Sequence, residues 1–166
     1  MRKSVAALGL VCLLCPTPGS ADEPGRGVVA LSDPTVLLAF RLAHHEALRK
    51  LERPACREVV FDFGEEAGRV LNEKLAAAGS AGAFLETLSF TDRDGRASCL
   101  GGAHAFTYPG SPLIFLCGRR FREATRQEVA RGADMLIHEM LHALGLGENP
   151  PSSREIQNAV ERRCRG

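Results

Sequence analysis

The chain has 166 residues, with 21 Lys+Arg against 20 Asp+Glu. Setting aside the first 21, which hold Arg2 and Lys3 and no acid, leaves 19 basic against 20 acidic side chains. Such a balance gives no electrostatic reason to expect nucleic acid or an anionic membrane as a partner, and the length suits one domain with a real core.

The chain opens as a leader. A basic "MRK", an apolar "SVAALGLVCLLC" and a small-residue "PTPGSA" make a secretory signal peptide with cleavage expected after Ala21. The run is too short for a membrane span. Cys12 and Cys15 follow Val11 and Leu14, where a lipoprotein signal would carry a small residue. The expected product is residues 22–166, one soluble monomeric domain in the periplasm or outside the cell.

"DPTVLLAFRLAHHEALRKLE" carries a helical apolar stripe through Val36, Phe40, Ala43, Ala47 and Leu51, opened by Asp33 and Pro34 and ended before Pro54. Its adjacent His44 and His45 point about 100° apart and cannot serve one site from one face. "REVVFDF" reads as a strand. "EEAGRVLNEKLAAAG" is a second amphipathic helix closed by Gly79. "AFLETLSFTD" reads as another strand, and "DRDGRAS" as a turn. "AHAFT" and "LIFLC" flank "YPGSP" and predict a β-hairpin. A helical stretch follows from Arg119 to Leu144, with a break near Ala124 and Thr125 and a left-handed cap at Gly145 or Gly147. "SSREIQNAVERRC" starts a last helix at Ser152 or Ser153, with Glu155 as capping-box partner of Ser152.

Four cysteines remain after the leader: Cys56, Cys99, Cys117 and Cys164. An even number in an exported chain points to disulfides, with three connectivities open, and no C-x-x-C pair suggests a cysteine metal site. The expected pairs are Cys99–Cys117, closing the hairpin, and Cys56–Cys164, tying the last helix to the first strand region.

The chemistry sits in "DMLIHEMLHALGLGENPP", Asp134 to Pro151. His138 and His142, four apart on a helix, put both imidazoles on one face, close enough to grip one ion. Glu139 can reach a water on that ion without ligating it, which is the H-E-x-x-H arrangement with glutamate as general base. The bland reading is a pair of core histidines bonded to backbone.

With Gly145 and Glu148, "HEMLHALGLGE" resembles the H-E-x-x-H-x-x-G-x-x-H pattern of metzincin peptidases, an acid standing where the third histidine would be. The chain has no methionine after Met140 to make a metzincin turn. From Cys99 onward, "CLGGAHAFTYPGSPLIFLCGRRF" followed by the "HEMLH" helix looks like the core of deuterolysin and aspzincin metallopeptidases, without their G-T-x-D segment. The resemblance implies a helix-rich α+β zincin-like fold, with a small sheet or β-hairpin and a zinc-binding helix. It also implies a secreted zinc metalloendopeptidase acting on a peptide or protein substrate.

In that reading His138, His142 and Glu148 hold one zinc ion and Glu139 is the catalytic base, while Tyr108 and His104 are placed to donate to the oxyanion. Glu148 can return to the metal because Gly145 lets the chain reverse and Pro150 and Pro151 stiffen the loop. The alternative reading makes Glu148 a solvated loop acid, with Glu155, Glu161 or His104 as rival ligands. A zinc hydrolase of cell-wall amide bonds and a non-catalytic degenerate zincin that binds its partner remain as alternative functions.

Overall fold

The computed structural model describes residues 25–165, so the expected leader, Met1 to Ala21, lies outside the described residues. Within them the protein is a mixed α+β domain, rich in helix with one four-stranded sheet. No helix among the described residues is long and apolar enough to cross a membrane.

The chain enters through the short strand β1 (Val29–Ala30) and turns into helix α1 (Pro34–Leu51). Asp33 caps α1 by accepting the Thr35 N–H at 2.7 Å, and Pro34 fills the first turn, where a missing N–H costs nothing. A short helix, α2 (Pro54–Arg57), leads into a 3-10 helix at Glu58–Phe63. This segment corrects the strand expected over "REVVFDF". Val59 and Val60 are consecutive and both buried. A strand would send them to opposite faces, whereas a tight helical turn sinks both into the core.

Helix α3 (Glu65–Ala77) follows as expected. The strand expected over "AFLETLSFTD" is half helix: α4 (Ala81–Thr87) precedes β2 (Ser89–Asp92). Ser80 caps α4 by accepting the Ala83 N–H at 3.0 Å, and Ala81 and Leu85 are buried one turn apart. After the turn comes a single helical turn, α5 (Ala97–Leu100), and then the expected hairpin of β3 (Ala105–Phe106) and β4 (Leu113–Leu116). The sheet order is β1-β2-β4-β3, parallel except for the last pair, with Ala105 opposite Leu116 and Phe106 opposite Phe115. β3 is therefore an edge strand.

Two helices run on from the hairpin, α6 (Gly118–Gln127) and α7 (Val129–Leu144). The break falls at the extended Glu128 and not near Ala124 and Thr125, because the Thr125 hydroxyl donates to the Phe121 carbonyl at 2.8 Å and rides in the helix. The last helix, α8 (Ser153–Cys164), starts with the expected Ser152–Glu155 capping box.

α7 is the central element. Every residue from Leu136 to Leu144 is buried, a pattern that belongs to a helix enclosed on all sides. It packs against α1, α6, α8 and the underside of the hairpin. α1 comes close because small residues face it: a Cβ on Gly132 would stand 3.0 Å from the Ala43 Cβ and 2.4 Å from the Thr125 hydroxyl. The same interface encloses an ion pair, with Lys50 Nζ donating to Asp134 Oδ1 at 2.5 Å. Burial pushes the Asp134 carboxyl above its ordinary range, and the Lys50 bond opposes that shift. The disulfides are Cys56–Cys164, joining α2 to α8, and Cys99–Cys117, joining α5 to the end of β4. Two disulfides are consistent with an extracellular protein.

Candidate metal site

α7 carries His138, Glu139 and His142 in its last two turns, 7, 7 and 5 % exposed. The helix stops at Gly145, whose φ of 113° is a left-handed conformation that a side chain would strain. The Gly145 and Leu146 N–H groups bond back to the His142 and Leu141 carbonyls, and the Lys74 ammonium caps the Leu144 carbonyl. Gly110, in the hairpin turn, donates to the His142 carbonyl at 2.9 Å, so the turn is tied to the end of the helix. Beyond Gly145 the chain reverses and brings Glu148 back over the helix.

Three ligand atoms meet there. His138 Nε2 lies 3.1 Å from His142 Nε2, and His142 Nε2 lies 3.3 Å from Glu148 Oε1. Ligands held at zinc-like bond lengths around a tetrahedral centre stand about 3.3 Å apart. Both distances match edges of such a centre, and all three ligand atoms lie within 4.8 Å of one another.

The hydrogen bonding points the same way. His142 Nδ1 donates to the Leu146 carbonyl at 2.7 Å, which turns Nε2 towards the other two ligand atoms. Burial brings the His138 imidazole down to about 4, with neighbouring His142 acting in the same direction and the Gln157 side chain opposing them. Two imidazoles and a carboxyl group thus converge on one point. Groups so arranged are held together by a cation or a shared proton between them. The group of His138, His142 and Glu148 can hold a metal ion.

Glu139 faces the same space. Its carboxyl is pushed up to about 8, first by burial and then by Glu148, against the Thr107 N–H that bonds to it. Oε2 is buried with no hydrogen-bond partner. An orphaned buried carboxylate oxygen is costly, and here it stands beside the ligand group. All four residues line one open cleft of about 590 Å³, together with Ala103, the segment from Ala105 to Pro109 and Ser153.

The other residues singled out from the sequence divide. Tyr108 lines the cleft at its rim, 65 % exposed. His104 does not line it; burial, Arg131 and Arg120 hold its imidazole below its ordinary range. Of the rival ligands, Glu155 is spent in the cap, accepting the Ser152 N–H at 2.7 Å, and Glu161 accepts the Gln157 amide at 3.0 Å. His44 and His45 line a separate cleft with Phe40 and Glu86. Sequence reasoning missed Ser153 as a site residue, whose hydroxyl is 3.5 Å from His138 Nε2. That contact depends on how α8 lies against α7, which no local pattern encodes.

No model of a known protein family, no curated protein and no solved structure matches this chain. Fold and site by themselves define a helix-rich α+β domain in which two buried histidines and an exposed glutamate form a group able to hold a metal ion.

Proposed function

We propose that the protein is an exported zinc-dependent metalloendopeptidase of the zincin type. The observation that carries this reading is the convergence of His138, His142 and Glu148 beside an unpartnered Glu139 carboxylate, in a cleft open to a substrate. A purely structural ion has no need of a base next to it. Two imidazoles and a carboxylate suit zinc, and three protein ligands leave a position for chemistry.

When bound, zinc supplies a Lewis acid that makes water acidic near neutral pH and polarises a carbonyl. The protein's own groups do the rest. Glu139 Oε2 takes a proton from the attacking water and passes it to the leaving amine nitrogen as the peptide C–N bond breaks and the new C–O bond forms. The Thr107 backbone favours the ionised form of the Glu139 carboxyl, against its burial. The free edge of β3 is available for an extended peptide to add as a further strand, and the Tyr108 phenol at the rim is available to donate to the carbonyl oxygen.

The reading is tested by metal analysis of the purified protein alongside cleavage of an unstructured protein. Stoichiometric zinc and cleavage that stops with chelator and returns with zinc are expected. Zinc without cleavage of any peptide or cell-wall amide bond would leave a binding module and end the enzymatic reading.

A further inference from the structure

His44 and His45, which the metal site leaves unused, line a second cleft of about 470 Å³. It lies at the other edge of the sheet: β1 borders this cleft and β3 borders that of the metal site. Its floor is apolar and aromatic. Phe40, Leu88 and Phe90 are buried there, the Phe40 and Phe90 ring centroids stand 4.6 Å apart, and the His44 ring packs against both. The rim supplies charge. Arg26 and Glu86 face each other at 3.9 Å, whereas Arg41 makes no ion pair among the described residues. Burial holds the His44 imidazole below its ordinary range, with Glu86 opposing that shift, so Arg41 is the cation left for a ligand. The backbone supplies a third feature. Val29 stands opposite Phe90, and the Phe90 N–H bonds to the Val28 carbonyl at 2.8 Å. In that parallel register the Val29 N–H and C=O point away from β2, and Val29 itself lines the cleft. Val28 and Val29, 67 and 44 % exposed, thus form an uncovered apolar edge, a ready template for another strand.

We propose that this cleft docks the C-terminal end of a peptide whose last residue is large and apolar. The side chain enters the aromatic floor, the main chain pairs with Val29 as an added strand, and the carboxylate meets Arg41. A peptide end uses all three features at once, whereas a small free acid has no use for the Val29 backbone. The cleft volume falls in the range of sites that enclose a ligand of this size. The site shares no residue with the metal-site cleft and stands independently of it.

Binding is measured by fluorescence anisotropy of a labelled short peptide ending in Val-Phe, and located by amide shifts in ¹⁵N NMR. Chelator is present throughout, so the metal site cannot cleave the probe and a protein that takes up no zinc leaves the outcome unaffected. Saturable binding with shifts at Val29, Arg41 and His44 is expected. Amidating the peptide C-terminus, or Arg41→Gln, should weaken it about tenfold, the scale of one charge-assisted hydrogen bond. Arg41 is exposed, so the variant should unfold at the wild-type temperature. Methylating the peptide's backbone amides, which blocks strand addition, should weaken binding as well, and a peptide ending in Val-Asp should not bind. Absence of saturable binding at millimolar peptide, equal affinity for the amidated peptide, or shifts confined to Thr107 and Tyr108 in the other cleft would overturn the proposal. So would 3-phenylpropionate binding as tightly as the peptide, which would make the cleft a site for small acids.

Discussion

Glu139→Gln should do two opposite things: abolish turnover and stabilise the metal-free fold. In the metal-free protein the carboxyl is pushed from 4.5 up to about 8 by burial and by Glu148. A carboxyl whose folded pKa lies above its unfolded value contributes its stability fully below the unfolded value. It loses that contribution as pH rises through the window, here from 4.5 to about 8. At about 1.4 kcal/mol per pH unit, the ionisable Glu139 costs the apo fold about 3 kcal/mol at pH 7. Glutamine keeps the shape, stays neutral and escapes that cost. Urea unfolding in chelator at pH 5 and pH 7.5 should find the variant within about 1 kcal/mol of wild type at the lower pH and more stable by about 4 kcal/mol at the higher. Taking the difference between the two proteins cancels the histidines, which both contain. Equal stabilities at pH 7.5 would refute the claim that Glu139 is held in a dry, uncompensated position, and with it the reason for expecting a base there. With zinc supplied, the variant should keep the ion yet lose several orders of magnitude in turnover, because an amide cannot accept the proton.

Glu148→Ala should weaken zinc binding by orders of magnitude and Glu148→His should restore part of it; full retention in the alanine variant, with loss in Glu161→Ala, would make the loop only a helix stop. Replacing Cys56 and Cys164 by serine opens a 108-residue separation and should cost about 5 kcal/mol on the loop-entropy estimate, against about 3 kcal/mol for the 18-residue separation of Cys99 and Cys117, both read from denaturant curves. Lys50→Met strands Asp134 inside the α1–α7 interface and should cost about 3–5 kcal/mol, while the double change with Asp134→Leu should recover most of it.

The parts legible in the sequence were those whose cause is local. A proline and an aspartate open α1, a glycine at φ 113° closes α7, and Ser152 with Glu155 boxes the start of α8. The spacing of His138 and His142 needs only a helix to bring two imidazoles together. The errors fell where tertiary contacts override a short apolar run: Val59 and Val60 looked like a strand until α8 and a disulfide gave both a core to enter. Ser80 was available as a cap for α4, and the aromatic and β-branched residues beyond it masked that signal. His104 was placed on the right hairpin but not in the cleft, since side-chain direction along a strand changes with every residue. Ser153 had no signal as a site residue, because its contact with His138 exists only once α8 lies on α7.

The central claim, that His138, His142 and Glu148 hold one metal ion, is tested most directly by anomalous diffraction at the zinc edge from crystals of zinc-loaded protein. One strong peak is predicted, about 2.0–2.2 Å from His138 Nε2, His142 Nε2 and a Glu148 carboxylate oxygen. No peak there, or one coordinated by other residues, would contradict the account.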